Sequence, residues 1–103
     1  IGGGEKAEEL KRLTRSLGLE KQVWFYGPCF DEKNNAQLLY DSSVCVCPAE
    51  VGLTAIHALS YGCPVISNDN FEKQMPEFES IIEGKTGSFY RENDISDLLT
   101  KII

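Results

Sequence analysis

The chain has 103 residues, a formal net charge of -6, a hydrophobic fraction of 42% and a charged fraction of 25%. That length allows one domain with a modest core, and the composition is not that of a disordered chain. The acidic balance excludes a non-specific nucleic-acid binder and a polybasic membrane-surface module, because both need clustered Lys and Arg. No apolar run approaches the roughly 20 residues of a membrane span, and no signal peptide is recognised.

The first half of the chain predicts a strand end, two helices and a strand. Ile1-Gly2-Gly3-Gly4 has the pattern of a strand of which only the last residue is present. Residues 5–17 carry apolar side chains at helical spacing and predict a helix that ends at Gly18. Residues 23–26 predict a strand with Trp24 in the core, followed by a Gly-Pro turn. Residues 34–40 predict a short second helix.

The second half continues the alternation with three strands and three helices. The strands are predicted at residues 44–47, 64–67 and 88–90, the last at a sheet edge, and the helices at residues 52–61, residues 76–82 and after Asp94. The helix over residues 52–61 has Leu53, Ile56 and Leu59 on one apolar stripe. The next begins at Pro76, where a missing N–H costs nothing. Asp94 is expected to cap the last.

Short apolar strands between amphipathic helices are typical of a parallel sheet that is covered on both faces. The predicted fold class is therefore α/β, a Rossmann-like, doubly wound parallel sheet with helices on both faces. We expect residues 1–103 to form one domain of this kind. In such sheets ligands bind beyond the carboxyl ends of the strands, often on helix N-termini.

The cysteines do not indicate a metal site. Cys45 and Cys47 lie on one predicted strand with both thiols on one face, which disfavours a disulfide between them. A structural zinc site would need a second close pair, whereas Cys29 and Cys63 are single and His57 is at no ligand spacing. We interpret the cysteines as small buried side chains in a reducing cytosol and expect no metal.

Two of the strand-to-helix edges give weak signals for a ligand. Gly2-Gly3-Gly4 lacks the full glycine spacing of a dinucleotide loop, so a flexible turn is the better interpretation. Gly27 follows the strand predicted at residues 23–26. It could border a nucleobase or only change the direction of the chain.

The third edge, around Gly52, is the most informative. Gly52 lets the backbone approach a ligand closely, and the N–H groups of Leu53 and Thr54 are expected to be unpaired in the first helical turn. Such a turn accepts a phosphate with the help of the helix dipole. Thr54 and His57 share a polar face with Tyr61. The pattern indicates a phosphorylated or hydroxylated ligand, with a capped and partly exposed helix as the alternative.

Several short motifs then follow in a fixed order over nearly the whole chain. They are Gly52-Leu53-Thr54, the stretch from His57 to Ile66 with Gly62-Cys63-Pro64-Val65-Ile66 at its end, Pro76-Glu77, and Gly84-Lys85-Thr86-Gly87-Ser88. The ordered set resembles the carboxyl-terminal domain of the retaining glycosyltransferases of family four. These enzymes have two Rossmann-like domains, an arrangement called GT-B.

The resemblance implies transfer of a sugar from a nucleotide-diphosphate donor to an acceptor, with retained anomeric configuration, in glycan biosynthesis. Family members carry two Glu separated by seven residues around the phosphate-binding turn, the first at the donor sugar and the second at the ribose. The matching positions here are Ala49 and His57, so both carboxylates are absent. His57 can still hydrogen-bond a ribose hydroxyl, and Glu50 could supply a carboxylate by a local shift.

The resemblance also implies the remaining site, its partners and its location. The predicted donor-binding residues are Glu50, Val51, Gly52, Leu53, Thr54, His57, Gly27 and Glu77, with no catalytic residue assigned. Glu77 either lines the donor cleft or only favours a helix start. The sugar nucleotide is the substrate, so no cofactor is expected.

We further expect the chain to be incomplete at its amino-terminal end and inactive without the acceptor-binding domain. The full-length enzyme would be cytoplasmic and could lie at the inner face of the membrane as a peripheral protein. Two alternatives stay open. One is a nucleotide-sugar epimerase of the same architecture, and the other is a non-catalytic nucleotide- or protein-binding α/β module.

Overall fold

A computed structural model describes residues 3–28, 31–48 and 51–102 of the chain. The chain divides into two compact units, Ile1–Asn35 and Ala36–Ile103. The predicted strand end at Ile1 and Gly2 lies outside the described residues, as do Ala49 and Glu50 of the predicted site.

The first unit contains helix α1, Ala7–Ser16. Acidic Glu8 and Glu9 lie in its first turn and Arg15 in its last, which suits the helix dipole. The chain leaves the helix through Gly18, whose φ of 68° favours glycine. This agrees with the helix predicted for residues 5–17, apart from fraying at both ends.

The prediction of a strand at residues 23–26 was wrong. These residues form an irregular segment, in which the N–H of Tyr26 donates to the Trp24 carbonyl at 3.1 Å. The described part of the first unit holds no strand with which they could pair. Trp24, expected in the core, is 72% exposed. Its ring meets the ring of Tyr26 edge-on, with the centroids 4.9 Å apart.

The second unit is built on a three-stranded parallel sheet. Its strands are β1, Cys45–Cys47, β2, Val65–Asn68, and β3, Gly87–Tyr90, in the order β1-β2-β3. The register pairs Val46 with Ile66 and Ser67 with Phe89. All three predicted strands of this half are therefore confirmed, with β3 at an edge, and the fold class is α/β and Rossmann-like.

Three α-helices accompany the sheet. Helix α2, Glu32–Asp41, precedes β1, helix α3, Leu53–Ser60, connects β1 to β2, and helix α4, Ile95–Ile102, follows β3. Asp94 caps α4 as predicted, since its carboxylate accepts a hydrogen bond from the backbone N–H of Asp97 at 2.9 Å. Within the described ranges, no helix has both the length and the apolar character needed to cross a membrane.

Helix α3 buries a different face from the predicted one. Ala55 and Ala58 are fully buried, whereas Leu53 and Ile56 of the predicted apolar stripe are exposed and Leu59 is half-buried. Small side chains let the helix backbone approach the strands closely, and the core around it consists of Val51, Ala55, Ala58, Cys63, Val65 and Ile81. Hydrophobicity alone therefore predicted the wrong face.

The connection from β2 to β3 consists of two short 3₁₀ helices, Phe71–Lys73 and Pro76–Ser80. The second replaces the helix predicted for residues 76–82, and the first had no counterpart in the prediction. Phe71 stacks on Phe78 and meets Phe89 of β3 edge-on, each pair with ring centroids 5.0 Å apart. This aromatic cluster fixes the connection against the sheet edge.

Gly87 allows β3 to pair closely with β2. A Cβ added at Gly87 would overlap the carbonyl oxygen of Val65 and press on the side chain of Ile81. We expect Gly87→Ala to lower the free energy of unfolding by about 3 kcal/mol, because the buried strands would have to separate. Urea denaturation followed by circular dichroism measures this change.

Gly4→Ala is the matched control, because Gly4 is exposed and a Cβ there meets no atom within 4 Å. Its free energy of unfolding should stay within about 0.5 kcal/mol of the unmodified chain. Equal stability of Gly87→Ala and Gly4→Ala would contradict the close strand pairing at Gly87.

Candidate functional site

The candidate site lies where the chain passes from β1 into α3. Gly52 is the N-cap of α3, and no side chain of the described residues caps this helix. In the described residues, the backbone N–H groups of Leu53 and Thr54 have no hydrogen-bond partner, while the N–H of Ala55 donates to the carbonyl of Gly52 at 3.0 Å. Two donors and the positive end of the helix dipole are therefore open to an anion.

The polar side chains predicted for this site lie on the exposed part of α3. Thr54, His57 and Tyr61 are all exposed, as is Leu53 between them and the turn. Of the predicted turn residues, Val51 is fully buried, so only its backbone can take part in binding. Glu50 lies outside the described residues, and its predicted role stays a prediction.

A network of buried hydrogen bonds holds the carboxyl ends of the strands beneath this turn. The Pro48 carbonyl accepts a hydrogen bond from Asn68 Nδ2 and another from Tyr90 Oη, both at 2.9 Å. Ser67 Oγ donates to the Cys47 carbonyl at 2.9 Å. The three strands are thus tied together at Cys47 and Pro48, just before the chain enters the candidate site.

Sequence reasoning missed Tyr90 of this network and also Gln74, whose Nε2 donates to Ser67 Oγ at 3.0 Å. Tyr90 appeared only as part of an edge strand, and Gln74 lies outside any periodic segment, so neither carried a signal of its own. The run Asn68-Asp69-Asn70 begins at the last residue of β2. It forms a turn, in which the N–H of Asn70 donates to Asn68 Oδ1 at 3.0 Å.

Glu77 lies in the 3₁₀ helix Pro76–Ser80, which packs against α3. Its Oε2 atom is buried and has no hydrogen-bond partner among the described residues. A buried carboxylate oxygen without a donor is costly, so it marks a place where a ligand hydroxyl would be favourable. The predicted role of Glu77 in a donor cleft stays a prediction.

Gly27 belongs to the first unit, which is described separately from the second. It turns the chain with a φ of 86°. It also lines an open cleft of about 480 Å³ together with Gly3, Gly4, Trp24 and Tyr26. The structure places Gly27 at the end of the irregular segment and not after a strand. The strand-to-helix edge predicted at this position is therefore only a turn of the chain.

Comparisons with known proteins identify the family. The family model described as glycosyl transferases group 1 matches residues 1–103. The chain belongs to the glycosyl transferases group 1 family. An uncharacterized glycosyltransferase of Haemophilus influenzae is 28% identical over 104 residues, which cover 96% of this chain and 27% of that protein.

A solved structure agrees with this family assignment. The lipopolysaccharide outer core galactosyltransferase WaaB, in its apo form, superposes with a TM-score of 0.84 and 26% sequence identity. The match covers 99% of this chain and 29% of that one. The fold is thus that of a GT-B glycosyltransferase, and the chain spans a little over a quarter of the length of the relatives it matches.

The family assignment leaves the thiol pair on β1 to be explained. Cys45 Sγ and Cys47 Sγ lie 3.9 Å apart on one face of the strand, as predicted from the strand period. A hydrogen bond from Cys45 stabilises the Cys47 thiolate and lowers the pKa of Cys47 to about 7, against burial and the nearby Cys63. The same hydrogen bond, with burial, raises the pKa of Cys45.

The thiolate of Cys47 should react with iodoacetamide with a midpoint near its pKa of about 7. Cys45→Ala removes the donor, so the midpoint should move to higher pH, whereas Cys45→Ser keeps an O–H donor and should preserve most of the effect. Mass spectrometry of the Cys47 peptide over a pH series measures the rate. An unchanged midpoint in Cys45→Ala would contradict the assigned hydrogen bond.

Proposed function

We propose that this chain binds the nucleotide-diphosphate sugar donor of a retaining glycosyltransferase, with the diphosphate on the turn formed by Gly52, Leu53 and Thr54. The observation that carries the proposal is the open first turn of α3, where two backbone N–H groups lack partners in the described part of the chain. Helix N-termini of this kind bind phosphate groups. The position beyond the carboxyl end of β1 is where parallel α/β sheets bind ligands.

Two side chains complete the proposed donor site. His57 is exposed one turn along α3 from the open amides, and its imidazole would hydrogen-bond a ribose hydroxyl. The unpartnered carboxylate oxygen of Glu77 would accept a hydrogen bond from a hydroxyl of the donor sugar. These contacts would also suit a nucleotide-sugar epimerase or a nucleotide-binding module, and the match to the glycosyl transferases group 1 family favours the transferase.

The proposed contribution of the chain to catalysis is positioning and charge stabilisation. Amides fixed in direction before the donor arrives stabilise charge on the leaving diphosphate without reorganising. They also hold the donor in one orientation for attack. This role needs no strong acid–base pair from these residues and no resident cofactor, since the sugar nucleotide is itself the substrate.

The expected affinity of the chain by itself is low. A helix N-terminus contributes up to about 2 kcal/mol to anion binding. Two or three added hydrogen bonds contribute about 1 kcal/mol each. The total of roughly 4–5 kcal/mol corresponds to a Kd in the millimolar range. The acceptor site and further cationic groups are proposed to lie in the part of a full-length enzyme that these residues do not span.

Titration of the chain with uridine, adenosine and guanosine diphosphates tests the site, with inorganic pyrophosphate as a fourth probe. We expect amide shifts at Leu53, Thr54 and His57 in ¹H–¹⁵N spectra, with a Kd in the millimolar range. Absence of shifts there for all four probes would overturn donor binding and favour the non-catalytic module.

Thr54→Glu separates binding from folding. A carboxylate in the first turn of α3 is favourable for the helix dipole, so the free energy of unfolding should not fall. The same charge repels a diphosphate, so the Kd should rise at least about tenfold, or ~1.4 kcal/mol. Thr54→Gln, of equal size and without charge, should bind more tightly than Thr54→Glu. Equal affinities of the two variants would argue against an anion at this turn.

The transfer reaction itself requires more than these 103 residues. We expect the chain alone to transfer no sugar to an acceptor from a nucleotide donor with any of the three bases. A full-length enzyme should give a product with the anomeric configuration of the donor, measured by the anomeric proton coupling. Transfer by the 103-residue chain, or inversion by the full-length enzyme, would contradict the corresponding part of the proposal.

A further inference from the structure

One side chain connects the turn before α3 to the end of β2. Gln74 lies between the two 3₁₀ helices, 23 residues after Val51. Its Oε1 atom accepts a hydrogen bond from the backbone N–H of Val51 at 2.6 Å. Its Nε2 atom donates toward Ser67 Oγ at 3.0 Å, the Asn68 carbonyl at 3.2 Å and Asn68 Oδ1 at 3.3 Å.

The chemistry of these contacts requires an amide in one orientation. The Val51 N–H is a donor and needs an acceptor, whereas the three atoms on the β2 side are all oxygens. Reversing the amide of Gln74 would place its –NH₂ group against the Val51 N–H and its carbonyl against the oxygens. A glutamate would face the same oxygens with a negative charge, and a hydrocarbon side chain would satisfy neither end. Glutamine is therefore suited to both ends of this connection.

The contact on Val51 acts directly at the candidate site. Val51 is fully buried in the core, so the direction of its N–H is fixed by packing and by Gln74 together. The next residues along the chain are Gly52 and Leu53, where the open helical turn begins. A shift of the Val51 peptide would rotate the following amides away from a common point.

The other end of Gln74 reaches the buried strand ends. Ser67 Oγ accepts from Gln74 and donates to the Cys47 carbonyl, and Asn68 Nδ2 donates to the Pro48 carbonyl. The side chain thereby holds the turn to both β1 and β2. The side chain of Met75, the next residue, lies beside Gly52, since its Cγ would be 3.8 Å from a Cβ placed there.

We propose that Gln74 is a positioning residue, which fixes the Val51 peptide and so aims the Leu53 and Thr54 amides at the donor diphosphate. The proposal rests on the proposed function, because it concerns the same turn. Gln74 touches no donor atom in this scheme. It acts through the backbone. Its loss should therefore weaken diphosphate binding while the core stays folded.

Gln74→Met tests this role, because methionine has nearly the same length without the two hydrogen-bonding ends. We expect the Kd for inorganic pyrophosphate and uridine diphosphate to rise about fivefold to tenfold, measured from the shifts of Leu53 and Thr54. Hydrogen exchange of the Val51 amide should become faster. The amide shifts of Ala55 and Val65 report whether the core is intact in the same spectra.

Gln37→Met is the matched control. Gln37 lies on an exposed part of α2, and among the described residues its Nε2 donates only to Asp41 Oδ2 at 2.9 Å, one turn away. This variant should bind pyrophosphate like the unmodified chain. Ser67→Ala is a milder second variant, which removes one acceptor of Gln74, and it should raise the Kd about twofold to threefold in the same direction.

The outcomes distinguish the two proposals. If the unmodified chain binds and a folded Gln74→Met binds equally well, the positioning role is overturned while donor binding stands. If Gln74→Met does not fold, Ser67→Ala decides in the same way, because equal affinity there overturns the role and weaker affinity supports it. If the unmodified chain shows no shift at Leu53 and Thr54, donor binding is overturned, and the positioning role falls with it.

Discussion

The structure of the second unit depends on the burial of β2. All four residues of this strand are buried, and two of them, Ser67 and Asn68, are polar. A polar group at such a position costs about 1–3 kcal/mol if it has no partner. The neighbouring elements must therefore bring hydrogen-bonding groups to the carboxyl end of β2. Three groups provide these hydrogen bonds, namely the Cys47 carbonyl of the neighbouring strand, the Pro48 carbonyl and the side chain of Gln74. The need to pair Ser67 and Asn68 constrains where each of the three lies.

This demand also explains why one helix start is left open. The backbone groups around the end of β2 are paired among themselves, and the Val51 N–H is taken by Gln74. The buried small residues of α3, Ala55 and Ala58, hold the helix close to the strands with its first turn at the sheet edge. In the ranges that the structure describes, no side chain turns back to cap Leu53 and Thr54. The same packing therefore pairs the polar groups at the end of β2 and leaves the N–H donors at the start of α3 open.

Sequence reasoning predicted the parts of this arrangement that repeat. Short apolar runs predicted β1, β2 and β3, and helical spacing predicted α1, α3 and α4. Such hydrophobic patterns can be recognised within one segment, without knowing which other segments pack against it. The buried face of α3 was predicted wrongly. Alanine is only weakly hydrophobic, so the apolar pattern followed the leucines, whereas the small alanine side chains are the ones that pack closely against the strands. The strand at residues 23–26 failed because pairing is non-local. Of the site, the open turn was predicted from Gly52, whereas Gln74 belongs to no period and could be found only from contacts 23 residues apart.

The acidic composition and the proposed diphosphate site are compatible because the site uses dipoles. A helix start and two amides attract an anion without any fixed positive charge on the chain. In the described part of the neighbouring connection, Lys73 lies 3.5 Å from Glu92 and is to that extent neutralised. Full charge compensation of a diphosphate would then come from groups outside these residues. In the proposed site these residues would supply direction for the donor, and groups outside them would supply charge.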